Sequence, residues 1–377
     1  MHPAKNHGPS EIQVISPGRI NLIGEHTDYN QGYVLAAAVQ NHLKLTLREN
    51  HTPVRCRIHS EALQASWEAD LDDLPENPGG WGGYLTGVLR ELQQRSGPLC
   101  GFDAWIASDL PPGAGLSSSA ALECGLAYGL DQLFRLGIPP VELVRLAHRA
   151  EVHYGGTECG IMDPFACVMG QKGHFIFLDC KTMDYRYIPA GLGAYKLVLI
   201  NSGVQHSLAE SAYNQRRAEC RKGVDILRSR FEEIDSLRDA TPAHLESVRA
   251  AMPPHIYNRC RYVVEENARV LKAVEALDQS DMPVLGRLLW ETHQGLRDLY
   301  EVSCAELDFL VDTAMDLPGV AGSRIMGGGF GGCSLNLVLA AAVPEVVARL
   351  KAAYRERFGR EAAPLEVVLA DGVRRGS

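Results

Sequence analysis

Apolar and polar positions alternate early in the chain. Ile12 and Val14 fall on one side of a predicted strand over 11–16, with Glu11 and Gln13 on the other. Ile15 breaks the alternation, which predicts a second face that is partly covered. Residues 43–58 read as one or two strands and 102–107 as another. A helix ending near Gln94 lies between them. The apolar run 120–130 follows Ser117, Ser118 and Ser119 and predicts a helix with a hydroxyl cap. Val141, Leu143, Val144, Leu146 and Ala147 have helical spacing within 141–153, and Gly155 and Gly156 stop that helix. Asp163 before Pro164 reads as an N-cap with proline at the first helical position. Strands are expected at 174–178 and 197–200, then a loop at 201–208 and a helix carrying Tyr213. Residues 225–311 are largely helical and amphipathic. A glycine run leads into strand 334–339, and helix 344–358 and strand 365–369 complete the series.

Composition narrows the function classes. A chain of 377 residues suggests two domains. The formal net charge of −9, without a basic run, argues against nucleic acid or an acidic membrane surface as partner. No segment is long and apolar enough to span a bilayer, and no apolar signal-peptide core is expected at the N-terminus. Ten scattered cysteines without a CxxC pair suggest reduced, packed thiols and a cytoplasmic location.

Three stretches carry candidate chemistry. In 111–121, Gly113, Ala114, Gly115, Leu116, Ser117, Ser118 and Ser119 sit directly before a helix. Glycines let backbone approach an anion, and a helix start offers unpaired N–H groups, so this is a candidate phosphate cradle. No lysine follows the glycines, so the P-loop pattern does not fit, and a tight turn capping a core helix accounts for the same residues. In 18–35, Glu25, His26 and Asp28 are too polar for a core, while Leu22, Ile23, Val34 and Leu35 are too apolar for a solvated loop. Such a trio can read sugar hydroxyls, ligate a metal in no familiar zinc spacing, or simply form a turn. Gly327, Gly329 and Gly332 satisfy GxGxxG, but a strand follows them where a dinucleotide site needs a helix. Glu151 stands near a helix end whose dipole disfavours a carboxylate, which suggests a compensating cation or plain solvation.

Residues 18–35 resemble the galactokinase signature GRxNLIGEHTDYNxGxVL. The cradle is similar to the second motif of the GHMP kinases, PxGxGLSSSA, and 324–332 to their third, RxxGGGFGG. The likeness runs from about Ser16 to about Asp371. It implies an α+β GHMP kinase fold, two domains with the active site in the cleft between them, and a boundary between Leu192 and Asn201, giving 1–195 and 196–377. It implies phosphoryl transfer from ATP to the anomeric hydroxyl of D-galactose. By this resemblance Asp163 and Arg19 are catalytic, and Glu25, His26, Asp28, Gly160, Asp163 and Tyr213 bind the sugar. ATP falls to Trp81, Tyr84 and residues 113–119, with Gly327, Gly328 and Gly329 as a loop lining the site. Mg²⁺ falls to Ser119 and Glu151. A monomer or weak homo-oligomer is expected. Ala36, Pro164 and Met326 depart from the family pattern, which has proline, glutamine and threonine there. Other small-molecule kinases of the superfamily, a sugar sensor without catalysis and a nicotinamide enzyme are the rival readings.

Overall fold

A computed structural model describes residues 11–76, 78–156, 158–205 and 209–376. The first half of the chain contributes β1 (Glu11–Ile23), β2 (Tyr33–Glu49), β3 (Arg55–Ser60), β4 (Ala65–Asp70), α1 (Gly80–Ser96), β5 (Phe102–Ser108), α2 (Ser118–Phe134), α3 (Pro140–Ala150), α4 (Met162–Met169), β6 (His174–Asp179) and β7 (Tyr185–Pro189). The second contributes β8 (Tyr195–Gln205), α5 (Ala209–Arg228), α6 (Pro242–Val248), α7 (Pro254–Asp278), α8 (Met282–Gln294), α9 (Ala305–Met315), β9 (Val320–Ile325), β10 (Gly331–Leu339), α10 (Val343–Phe358), β11 (Ala363–Val367) and β12 (Arg374–Arg375).

Two sheets organise these elements. The larger has the order β12-β1-β2-β5-β3-β4, with β6 and β7 added beside the first residues of β2. The length of β2 permits this: Tyr33–Ala36 pairs with β6, while Leu43–Glu49 pairs with β5. The smaller sheet is antiparallel in the order β11-β8-β10-β9. One apolar core lies between the larger sheet and α1, α2 and α3, built on Val14, Leu45, Leu85, Leu126 and Leu146. Another joins the two halves of the chain, packing Ile20, Leu22 and Leu35 against Leu199, Val270, Leu289 and Leu335. Helices with mostly antiparallel sheet, β3 and β5 being a parallel pair, make an α+β fold. Among the described residues no helix is long and apolar enough to cross a membrane.

β1 does not stop at Ser16, as the alternation predicts, but runs to Ile23. Pro17 and Gly18 are absorbed as a bulge, with register shifts between Pro17 and Arg19 and between Asn21 and Ile23. Gly18 is needed because the 115–117 turn crosses it: a Cβ there would lie 2.7 Å from the Leu116 carbonyl oxygen. The Arg19 N–H donates to that same carbonyl at 3.0 Å, fastening the signature to the cradle. The second half of β1 is buried on both faces, so its polar residues need internal partners. Ser16 Oγ donates to the Ala121 carbonyl at 2.6 Å, and Asn21 Nδ2 donates to Glu25 Oε2 at 3.1 Å.

The last residues return to the first sheet. The Ala370 N–H donates to the Ala38 carbonyl, Gly372 to Gly170 and Val373 to Cys167. β12 then pairs with Val14 and Ile15 of β1.

Candidate active site

Two cavities adjoin where the cradle meets the glycine loop. The larger, of about 590 Å³, is walled by Gly113–Ser119 on one side and Met326–Gly332 on the other. The smaller, of about 120 Å³, is lined by Glu25, His26, Asp28, Glu151, Cys159, Met162, Asp163 and Tyr213. Arg19, Gly327 and Gly328 belong to both.

The cradle is the turn before α2. The opening turn of an α-helix leaves its N–H groups without intrahelical partners, and here that end opens onto the larger cavity. The predicted hydroxyl cap is not formed. Ser117 takes a left-handed φ of 54° and makes no side-chain cap. Its hydroxyl instead donates a short hydrogen bond to Asp163 Oδ2. Asp163 is not a cap either. α4 begins at Met162 with Ile161 before it, so Asp163 sits inside the first turn. The stronger partner wins: Arg19 Nε donates to Oδ1 at 2.5 Å and Nη2 to Oδ2 at 2.7 Å, a two-pronged ion pair. Arg19 Nη1 donates to the Gly115 carbonyl at 2.5 Å, so one guanidinium touches cradle and carboxylate together. Burial works against its charge, but Asp163 beside it outweighs that and holds Arg19 ionised.

Glu25 is buried at 2% exposure and its carboxylate is already engaged. Oε1 accepts from Arg324 Nη1 at 2.9 Å and from the Gly327 N–H at 2.8 Å. Glu25 therefore ties the signature to the glycine loop, as well as lining the smaller cavity. His26 is buried with a φ of 62°. Burial pushes its imidazole down to about 3, against a nearby Gly328 backbone group, so the ring is neutral. Tyr213 packs on it with ring centroids 5.3 Å apart. Asp28 lies against Gly160, where a Cβ would come within 2.1 Å of Oδ2, so no other residue fits there.

Asp28 is pushed up to about 7, first by burial and then by Asp163. A carboxyl whose folded pKa is raised stabilises the fold below its ordinary value of about 4, and that contribution is lost as pH rises through about 7. Asp28→Asn is accordingly expected to gain on the parent chain, by up to a few kcal/mol, as pH rises from about 4 to 7. Urea midpoints measured across that range check it; a constant difference would contradict it.

Ser119 Oγ donates to Glu151 Oε1 at 2.8 Å, while Glu151 Oε2 is buried with no partner. Burial first, then Asp163, raises the Glu151 carboxyl to about 7. An orphaned carboxylate oxygen beside a hydroxyl, at the edge of an anion cradle, is a donor set that fits a hard divalent ion. Mg²⁺ habitually completes its shell with water and phosphate oxygens. Trp81 and Tyr84 line neither cavity. Both sit inside α1, Trp81 in its first turn and Tyr84 just after it, and pack half-buried on the core beneath. Tyr84 also flanks the turn carrying Glu151, since a Cβ on Gly155 would meet Tyr84 Cε1 at 2.6 Å and Glu151 Cγ at 3.3 Å.

Comparison with known proteins agrees with this geometry. The galactokinase galactose-binding signature matches residues 4–47, the GHMP kinase N-terminal domain 83–171 and the GHMP kinase C-terminal domain 273–356. A galactokinase of Thermotoga neapolitana is 42% identical over 97% of this chain and 100% of its own. The chain belongs to the galactokinase family. A galactokinase of Chloroflexus aggregans is 43% identical over 95% of this chain and 92% of its own. The crystal structure of Lactococcus lactis galactokinase complexed with galactose superimposes with a TM-score of 0.93 at 34% identity, covering 98% of this chain and 96% of that one. The expected GHMP kinase fold, with N- and C-terminal domains, is thus the fold observed.

Within this galactokinase-family site the sequence reading missed two kinds of residue. Arg324 was visible only as a motif position, yet it is fully buried and holds Glu25. Tyr29 and Tyr300 surround His26, with the Tyr300 ring 4.7 Å from the imidazole. Asp28, Tyr29 and Asn30 do form a turn, as their residue types suggest, and nothing in one sequence couples that turn to residue 300.

Proposed function

We propose that the chain phosphorylates the anomeric hydroxyl of D-galactose with ATP, giving α-D-galactose 1-phosphate. One observation carries this reading: a small cavity ringed by hydroxyl-reading groups and a larger one at a helix N-terminus share Arg19 as a wall, with Asp163 against it. Phosphoryl transfer needs positioning and charge stabilisation more than covalent help. The cradle residues Gly113–Ser119 and the loop Gly327–Gly329 would hold the triphosphate through backbone N–H groups. Glu25, His26, Asp28, Tyr213 and the Gly160 backbone would hold the sugar. Asp163 would orient the attacking hydroxyl and take its proton. Arg19, permanently charged and planar, would face the hydroxyl oxygen as it gains charge and the group in flight. Ser119 and Glu151 would hold Mg²⁺, which supplies charge neutralisation on the phosphates when bound. Trp81 and Tyr84, which line neither cavity, would bear on the nucleotide only from beyond the larger one. We place the division between the halves near residue 195 and take the protein to work in the cytoplasm as a monomer or weak homo-oligomer.

Galactose-dependent ADP release, followed in a coupled assay, tests the reading. Galactose should exceed galactosamine, N-acetylgalactosamine and galacturonate in kcat/KM, because a uronate would set its carboxylate against Glu25. Best turnover on galacturonate would refute the choice of sugar. Glu151→Gln is expected to raise the Mg²⁺ concentration for half-maximal rate about tenfold or more, since a neutral amide is a weaker ligand. A magnesium titration at saturating galactose measures this, and an unchanged requirement would remove Glu151 from that role.

A further inference from the structure

From His26 runs a file of two hydroxyls ending in a thiol. Nδ1 lies 2.7 Å from the Tyr29 hydroxyl, which lies 2.8 Å from the Tyr300 hydroxyl, which lies 3.1 Å from the Cys220 thiol. Tyr300 and Cys220 are buried. The other ring nitrogen, Nε2, is buried without a hydrogen-bond partner, in a side chain that lines the smaller cavity.

A neutral imidazole carries one N–H, and the bond made by one nitrogen decides which of the two carries it. Two directions are open to the file. In one, Nδ1–H donates to Tyr29, and each hydroxyl donates onward to the sulfur. In the other, the thiol donates to Tyr300, Tyr300 to Tyr29, and Tyr29 to a bare Nδ1. A phenol is a better donor than acceptor and a bare imidazole nitrogen is a strong acceptor, which favours the second.

We propose that Tyr29 and Tyr300 are positioning residues whose hydroxyls fix His26 as the Nε2–H tautomer, so that it presents one fixed donor to an oxygen of the sugar. Asp28, in the same cavity, and the Glu25 Oε2 side not taken by Arg324 and the Gly327 N–H are left to accept sugar O–H groups. A hydroxyl is thus read by a donor on one side and an acceptor on the other. An ammonium group at that carbon would set donor against donor, and a hydrogen there would leave Nε2–H unpaired. The inference rests on the galactose reading of this site and specifies how one hydroxyl is chosen.

Nitrogen-15 NMR of the imidazole in ligand-free protein tests it first. A protonated Nε2 with a bare Nδ1 is expected, and the reverse overturns the proposal. Kinetics of Tyr29→Phe and Tyr300→Phe on galactose and its monodeoxy analogues test it second. Each variant should raise the galactose KM about five- to tenfold, the worth of one neutral hydrogen bond, with kcat within about twofold. The penalty should vanish for the one deoxy sugar that lacks the hydroxyl His26 serves. An equal penalty on every sugar, or none on any, overturns the proposal. An unaltered chain that fails to turn over galactose would sink the galactose reading instead, while the NMR result on the tautomer would still stand.

Discussion

Asp163→Asn is expected to lower kcat about a thousandfold or more while galactose affinity stays within a few-fold. The carboxylate does two things that an amide cannot do together. It takes both prongs of Arg19, at 2.5 and 2.7 Å, and it offers an acceptor for a hydroxyl proton. Asparagine keeps one acceptor oxygen but turns an NH₂ toward the second guanidinium prong, donor against donor. Arg19 then tilts away, and with it the grip on the Gly115 carbonyl that sets the cradle. The pocket also becomes one charge more positive, so nucleotide affinity should hold or rise. Steady-state kinetics with calorimetric galactose titration separate these effects. A variant retaining a tenth of the parent's kcat would take Asp163 out of the chemistry.

Arg324→Met should be the most destabilising single change near the site, by about 3–5 kcal/mol. The Arg324 side chain is fully buried and donates to the carbonyls of Leu22, Asn21 and Ile325 as well as to Glu25. Methionine fills much of the volume but leaves Glu25 an uncompensated buried charge and strips the carbonyls of donors. Adding Glu25→Gln should restore part of the loss, since the orphaned charge is then gone. Urea unfolding of the parent, both single variants and the double variant measures the coupling. A loss below about 1 kcal/mol for Arg324→Met, or strict additivity, would contradict this account.

Contiguous stretches made much of the site legible. The cradle and the 18–35 signature announce themselves because their residues act on neighbouring atoms: backbone N–H groups at one helix start, side chains around one turn. Side-chain partners across the chain were not legible. Ser117 has the composition of a cap, but its left-handed backbone turns the hydroxyl toward Asp163. Asp163 before Pro164 has the grammar of a cap, but an ion pair with a residue 144 positions away outbids a backbone N–H. The strand through Pro17 and Gly18 was hidden because both residues ordinarily end strands, and only the crossing turn at Leu116 explains the bulge that admits them. The helical stretch at 225–311 was clear from its period, whereas the burial of Tyr300 against His26 depends on packing that no period encodes.

The return of the final residues to β1 bears on how the polypeptide acquires its shape. Val373 packs on cores of the first half, and β12 covers one end of the edge strand β1. On the ribosome, the first half therefore emerges with that edge uncovered and must wait for nearly all the remaining translation before its missing piece arrives. At this one edge, synthesis order and assembly order diverge.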